Sequence, residues 1–422
     1  MRILGFMPDP AATTIQPRTP VASLDRKRYV ESDRSFPVAA VAPLVGMQAA
    51  FIRRVVGHDG ALSVDDVIVL LDQDAYAETF LPRSRVLDYL MREPQEPAGD
   101  QYENPERYDL VNEDCLSFVR RLKDESINCI VTSTPYWAMR VYKESQAVAW
   151  ADGDLAPYGH EQTPEGFVRH TVEILHALSR VLAQDGSIWW NVMDTFNTRT
   201  QIRGSAVEAL RAMQGGEHYK AWGDHEYRRY SAGHSYLKDG EQVGIPALIA
   251  QRASRLGLFV KSTITWAKTA TLPEPQKSRV SRQLEYVIHI SKQRAPKFDK
   301  EAYGRLSTSL GGRNELLETA KLSDVWVIPT SSGGDGHGAQ FPLALPGRCI
   351  ALSTEPGDVV LDPFVGSGTS VVAALALGRR AIGTDTAREY LATAERKVQA
   401  LDASGGRSTT KISARLPDVK AI

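Results

Sequence analysis

Apolar and polar positions along the chain follow two periods, one suited to short buried strands and one to helices. Ile127-Asn128-Cys129-Ile130-Val131-Thr132 is a β-branched run that reads as a buried strand. Val359-Val360-Leu361 and Ala381-Ile382-Gly383-Thr384 read the same way, and further strands are expected over 108–111, 187–192, 259–266, 285–290 and 324–328. Between them, 3.6-residue spacing predicts helices over 116–122, 166–182, 244–256, 345–353, 370–377 and 388–401. Asp185-Gly186 reads as the turn that leads into the strand over 187–192. Strands alternating with helices specify an α/β domain with a mostly parallel sheet, here spanning 107–401.

The flanks read differently. Residues 1–106 form an N-terminal accessory region and linker, with a Pro- and Arg-containing start over 1–35 and a Pro/Glu/Gly-rich connector over 93–107. Inside it, Ser63-Val64-Asp65-Asp66 has the form of a capping box opening a helix to about Leu71, and 86–91 closes another helix. The most apolar run, 36–52, is interrupted by Pro37, Pro43, Gly46 and Gln48. It reads as a buried helix, because a membrane span needs about 20 apolar residues. Residues 402–422 are rich in Ser, Gly and Lys and read as a disordered tail.

Net charge changes the picture only locally. Over the 422 residues it is −1, so a polyanion partner must be met by clustered charge. The stretch 261–300 holds nine Lys/Arg against three acids, and Lys268, Lys277, Arg279 and Arg282 are its candidate phosphate contacts. The insert 197–240 interleaves seven Lys/Arg with Tyr219, Trp222, Tyr227, Tyr230 and Tyr236 and is a second candidate, alternatively a lid. With the rest of 261–322 these segments are the candidate target-recognition region. Cys115, Cys129 and Cys349 are scattered and show neither metal spacing nor a disulfide framework, and 1–10 lacks a signal peptide. A cytoplasmic protein without a metal site is the expectation.

The chemistry gathers at two strand ends. The strand over 127–132 runs into Ser133-Thr134-Pro135-Tyr136-Trp137. Ligands of open parallel sheets bind at such carboxyl edges. Pro135 fixes its own φ and holds Thr134 extended, so the Thr134 carbonyl can stand beside the Ser133 hydroxyl. Two acceptors next to the flat face of Tyr136 suit a planar ring that carries an exocyclic NH2 group. The second strand end is Asp362-Pro363-Phe364-Val365-Gly366-Ser367-Gly368-Thr369, followed by a helix. Strand, glycine turn and helix bring backbone N–H groups against a ligand. Asp385, at the end of the next strand, suits a ribose diol. No GxGxxG and no Gly-Lys-Ser/Thr is present, so dinucleotide and P-loop readings are weak.

The Asp-Pro-Phe-x-Gly-Ser-Gly-Thr string resembles the S-adenosylmethionine motif of DNA amino-methyltransferases, and Ser-x-Pro-Tyr resembles their catalytic motif. Their order resembles the class in which the catalytic motif comes first, over roughly 105–400. The resemblance implies a Rossmann-like class I methyltransferase sheet, circularly permuted, with a DNA-recognition insert. It implies S-adenosylmethionine as cofactor, double-stranded DNA as partner and, in a restriction-modification setting, a cognate endonuclease. Ser133, Thr134, Pro135 and Tyr136 are then the catalytic residues. Asp114, Phe341, Pro342, Asp362, Phe364, Gly366, Ser367, Gly368, Thr369 and Asp385 are the cofactor residues. Asp114 is equally readable as a helix cap, and Asp194 as a wall of the active site. The family has Pro where Thr134 stands. Adenine enzymes usually begin the motif with Asp and cytosine-N4 enzymes with Ser, so Ser133 favours cytosine N4 over adenine N6. An inactive, DNA-binding relative is the remaining alternative. None of the cysteines follows a proline, unlike the nucleophile of cytosine-C5 enzymes.

Overall fold

The computed structural model describes residues 29, 33–92, 99–137, 139, 146–197, 234–238, 240–269, 277–330 and 341–404. The arm over 1–28, most of the insert over 197–240, the segment 331–340 and the tail beyond 404 lie outside the described residues.

The centre is one eight-stranded sheet. In chain order its strands are β1 (Tyr108–Val111), β2 (Ile127–Ser133), β3 (Leu182–Val192), β4 (Phe259–Ala267), β5 (Leu284–Ser291), β6 (Val325–Val327), β7 (Val359–Asp362) and β8 (Arg380–Thr384). Their spatial order is β6-β4-β5-β3-β2-β7-β8-β1. Among these described strands, only β5 runs antiparallel to its neighbours. This is the α/β sheet that the resemblance implies. The last strands of the chain, β7 and β8, return to the middle, where Val360 pairs with Cys129 and Leu361 with Ile130. The chain therefore reverses its direction of travel across the sheet between β2 and β7. Such a switch point opens a crevice at the carboxyl ends of the strands. Both motifs leave their strands there.

Burial explains the strands. Ile127, Cys129, Ile130, Val131, Val359, Val360 and Leu361 are all buried, as expected for strands covered on both faces. The helices, with α1–α4 in the N-terminal region, follow the expected pattern. Of these, α5 (Cys115–Arg121), α6 (Pro164–Val181), α7 (Ile245–Arg255), α8 (Ala344–Ser353), α9 (Thr369–Ala376) and α10 (Arg388–Ala403) flank the sheet. Two local expectations are corrected. Asp185-Gly186 does not form a free turn: β3 already starts at Leu182, and the pairing shifts between Ile127/Leu182 and Cys129/Ser187. The apolar run over 36–52 is not one helix but two, α1 (Val38–Val45) and α2 (Ala49–Val56), bent by 102°. Gly46 ends the first in the left-handed region at φ 67°, where a Cβ would lie 2.5 Å from the Ala77 carbonyl oxygen. Among the described residues no single helix is long and apolar enough to cross a membrane.

The N-terminal region also contains α3 (Val64–Leu71) and α4 (Val86–Met91). The capping box at Ser63 and Asp66 is present. Val41, Leu44, Leu70, Phe80 and Val86 belong to the same apolar cluster as Phe167, Leu175 and Ile249 of the catalytic domain. Phe80 stacks on His176 at 4.9 Å, and Arg252 Nη1 donates to the Thr79 carbonyl at 2.8 Å. The region is thus packed on α6 and α7.

Candidate active site

Ser133 ends β2 directly opposite Asn191 of β3. Thr134 N–H donates to the Asn191 carbonyl at 3.3 Å, so the backbone remains extended into the motif before Pro135. Ser133 Oγ lies 3.2 Å from the Tyr136 hydroxyl. Asn191 Nδ2 reaches Ser133 Oγ at 3.2 Å, Tyr136 Oη at 3.0 Å and Glu285 Oε2 at 2.7 Å. Tyr136 also donates to Glu285 Oε2, and Lys268 pairs with Glu285 Oε1. Glu285 is buried at the start of β5, and Lys268 follows the end of β4. Five polar side chains from three strands and two loops thus converge on the motif.

The loop is held from behind. Trp137 is fully buried and donates its indole N–H to the Glu161 carbonyl at 2.9 Å. Gly159 has φ 91°, and a Cβ there would lie 3.1 Å from Pro135 Cβ. Glu161 accepts from Gly159 N–H at 3.0 Å and from His170 Nδ1 at 2.9 Å. Burial raises the Glu161 carboxyl above its usual range. Burial lowers His170, but its bonds to Asp152 and Glu161 outweigh this and leave it raised. Trp150 stacks on His170 at 4.0 Å. A carboxyl and an imidazole buried so deeply persist because they are closely matched and hydrogen-bonded. They fix the far side of the turn.

The second motif sits beside the first. Asp362 is buried; its Oδ1 accepts from Phe364 N–H at 3.0 Å and its Oδ2 from Ser370 Oγ. Burial pushes its carboxyl up to about 6. Phe364 stacks on Tyr158 at 5.2 Å and meets Trp190 edge-on at 6.2 Å. Tyr158 comes from the loop that also carries Gly159, so the two motifs share a wall. Gly368 caps α9 at φ 81° and packs against α10, where a Cβ would fall 2.5 Å from Ala394 Cβ. Gly366, at φ 48°, faces open space, with nothing nearer than 4.0 Å to a Cβ. Its N–H donates to Asp385 Oδ2 at 3.0 Å, and Ala387 N–H donates to Oδ1 at 2.9 Å. Ser367 Oγ accepts from Lys397 at 2.9 Å, and Thr369 is the first residue of α9. Phe341 and Pro342 precede α8, with Phe341 against the apolar cluster that includes Val365. An open glycine turn beside an oriented carboxylate fits an adenosyl cofactor, since each carboxylate oxygen can accept more than one hydrogen bond.

Several residues take other settings than expected. Asp114 caps α5, its Oδ1 accepting from Ser117 N–H at 3.1 Å. Asn112, two residues earlier, bridges to the Asp385 carbonyl at 3.0 Å, so this strand end does adjoin the cofactor motif. Asp194 is no open wall: it accepts from Gln242, Gly244 and Ile245 and anchors the start of α7. Lys268 belongs to the buried cluster, not to an outer phosphate face. Arg279 and Arg282 lie over the Phe196 ring at 3.5 and 5.3 Å, and Lys277 is exposed nearby. Within 261–322, β4 and β5 belong to the central sheet. The part after them is held by buried Arg348, which pairs with Glu318 and donates to the carbonyls of Gly311 and Gly312. Asn191 was not among the expected site residues, although an amide between Trp190 and Val192 in an apolar strand was its signal. The Glu161–His170 pair and the convergence on Glu285 were not expected either. All three cysteines are buried, with the Cys129 thiol pushed by burial up to about 12.

Known proteins are similar to this chain. The type II methyltransferase M.Cfr9I of Citrobacter freundii is 31% identical over 297 residues, which cover 69% of this chain and 88% of that protein. M.SmaI of Serratia marcescens is 26% identical over 296 residues, covering 68% of this chain and 90% of that one. Among solved structures, the PvuII DNA methyltransferase, described as cytosine-N4-specific, matches with a TM-score of 0.47 and 18% identity, covering 74% of this chain and 97% of that one. The family model described as DNA methylase matches residues 127–396, more than half of the sequence, and the chain belongs to this family of N6/N4 DNA methyltransferases.

Proposed function

We propose that this DNA methyltransferase modifies N4 of cytosine in duplex DNA, with S-adenosylmethionine as methyl donor. The observation that carries the reading is Ser133 at the end of β2, next to Tyr136 and beside the glycine turn of β7. When bound, S-adenosylmethionine supplies an electrophilic methyl group. Asp385, the turn through Gly366, and Phe341-Pro342 are the residues that would hold it. An aromatic amino nitrogen is a poor nucleophile, because its lone pair is delocalised into the ring. Alignment and redistribution of charge are therefore the tasks of the protein. Ser133 Oγ and the Thr134 carbonyl each accept one N–H and let the nitrogen turn its lone pair outward. Thr134 keeps the carbonyl, and the packing behind Pro135, through Gly159 and the Glu161–His170 pair, offsets the loss of the constraint that a second proline would give. The target base must leave the duplex to reach this crevice, with the Tyr136 ring beside it.

The first residue of the motif favours cytosine over adenine by its resemblance to the cytosine-N4 group, which usually has Ser there; cytosine N3 and adenine N1 are both acceptors beside the amino group, so hydrogen bonding alone does not separate them. Adenine N6 is the alternative on the same scaffold. The type II relatives support a role in protecting a recognition sequence from a cognate endonuclease. Modification-sensitive sequencing of DNA from cells expressing the protein tests this reading. N4-methylcytosine at one sequence context is the expected result, and unmodified DNA would revive the inactive, DNA-binding alternative.

A further inference from the structure

We infer that Glu285 sets the direction of the hydrogen bonds behind Ser133 and is the final acceptor of the proton released on methyl transfer. The inference rests on the amino-methylation reading above. To accept an amino N–H, Ser133 must aim a lone pair at the base and send its own hydrogen elsewhere. The structure offers such a path. Ser133 Oγ is 3.2 Å from Tyr136 Oη, and Tyr136 in turn donates to Glu285 Oε2. An ionised carboxylate only accepts, so it imposes one polarity: Ser133 donates to Tyr136, and Tyr136 donates to Glu285. Asn191 reinforces this. Its amide must turn Nδ2 towards Glu285 Oε2, 2.7 Å away, because an amide oxygen there would face the carboxylate. Lys268 on Oε1 supplies the opposite charge. Among the described residues, the groups bonded to the Glu285 carboxylate are thus Lys268, Tyr136 and Asn191, of which the first two are titratable.

The same chain accounts for the proton. As the methyl carbon leaves sulfur and bonds to nitrogen, the nitrogen carries one hydrogen too many. That N–H bond breaks and an O–H bond forms at Ser133. The hydrogen of Ser133 passes to Tyr136, and that of Tyr136 passes to Glu285, which ends as the neutral acid. Ser133 and Tyr136 each regain one hydrogen, and the sulfur leaves with its electron pair in a neutral thioether. Glu285 touches neither base nor cofactor, so it is a positioning residue that acts through Tyr136 and Ser133.

The test is the single-turnover methylation rate on duplex DNA at mildly alkaline pH, for the wild type, Glu285→Gln, Glu285→Asp and Tyr136→Phe. Calorimetric titration with S-adenosylmethionine reports whether each variant remains folded and competent for the cofactor. Glu285→Gln and Tyr136→Phe should each be slower by about 100-fold at mildly alkaline pH. Glu285→Asp, which keeps the carboxylate on a shorter side chain, should recover part of that rate, which a purely structural role of the side chain would not produce. A Glu285→Gln protein within about threefold of wild type overturns the inference. Nucleoside analysis of the same reactions separates it from the reading beneath it. N6-methyladenine with these rate effects intact would replace the cytosine assignment and leave the relay standing. N4-methylcytosine with an unaffected Glu285→Gln protein would overturn the relay alone.

Discussion

Two glycines in one turn should respond to the same substitution in different ways. Gly368 lies at φ 81°, and an added Cβ would come within 2.5 Å of Ala394 Cβ and 2.8 Å of Ala394 Cα. Those atoms belong to α10, so relief requires the helix itself to shift. The left-handed backbone costs an alanine about 1–2 kcal/mol, and overpacking adds about 1–3 kcal/mol. A smaller entropic gain in the unfolded chain offsets part of this. Gly368→Ala should therefore lose about 2–4 kcal/mol of stability. Gly366 has φ 48° but no atom nearer than 4.0 Å to a Cβ, so its cost should be only about 1 kcal/mol. The space it faces is the proposed cofactor site, and a methyl group there should weaken S-adenosylmethionine binding by about tenfold or more, or about 1.4 kcal/mol. Urea unfolding gives the first quantity and calorimetric titration the second. Wild-type affinity in Gly366→Ala would refute the placement of the cofactor against this turn. Equal stabilities of the two variants would refute the packing argument for Gly368.

Asp385→Ala removes the acceptor of the Gly366 and Ala387 N–H groups, and should weaken S-adenosylmethionine binding by about 1–3 kcal/mol; unchanged affinity in calorimetry would remove Asp385 from the site. Charge reversal at Lys277 and Arg279 should weaken DNA binding and flatten its salt dependence by about one unit of slope for each phosphate no longer neutralised. An unchanged slope in a filter-binding series would move the DNA to another face, such as the insert over 197–240. A protein with Cys115, Cys129 and Cys349 all changed to alanine should keep methylating if it folds, since no thiol enters the mechanism; loss of methylation with an intact fold would contradict it. Burial lowers His176 to about 4 and His289 to about 3, both below their unfolded value. The unfolded chain then binds more protons, so stability is present above about pH 6.5 and is lost as pH falls towards 4 and 3, by roughly 3–5 kcal/mol per histidine at most. Equilibrium unfolding across that window checks it, and comparison with His176→Phe would isolate the share of His176; an unchanged pH profile in that variant would contradict the assignment.

The strands and helices were legible because each is bounded by an abrupt change of pattern. Ile127–Ser133 is β-branched and closes on a proline turn, and Asp362 to Gly368 passes from strand to glycine turn to helix within a few residues. What remained hidden was pairing between distant segments. Asn191 is 58 positions from Ser133, and Glu285 lies 149 from Tyr136, so only the sheet order brings them together. Asp194 was read as a wall residue because a similar strand of the family ends in an acid. Strand register decided otherwise, by setting Asn191 opposite Ser133 and turning Asp194 to the start of α7. Lys268 was read as a phosphate contact, and its pairing with the Glu285 carboxylate could not be seen until β4 and β5 were set side by side. The break between α1 and α2 was foreshadowed by Pro43, Gly46 and Gln48, but their summed effect on a strongly apolar run could not be judged without the neighbouring Ala77 carbonyl.

The central claim is that Ser133 and the Thr134 carbonyl present cytosine N4 for methylation. Mass spectrometry of nucleosides tests it most directly, on duplex DNA incubated with the purified protein and S-adenosylmethionine. The account predicts N4-methylcytosine, absent when Tyr136 is changed to alanine. A peak for N6-methyladenine with none for N4-methylcytosine would contradict it.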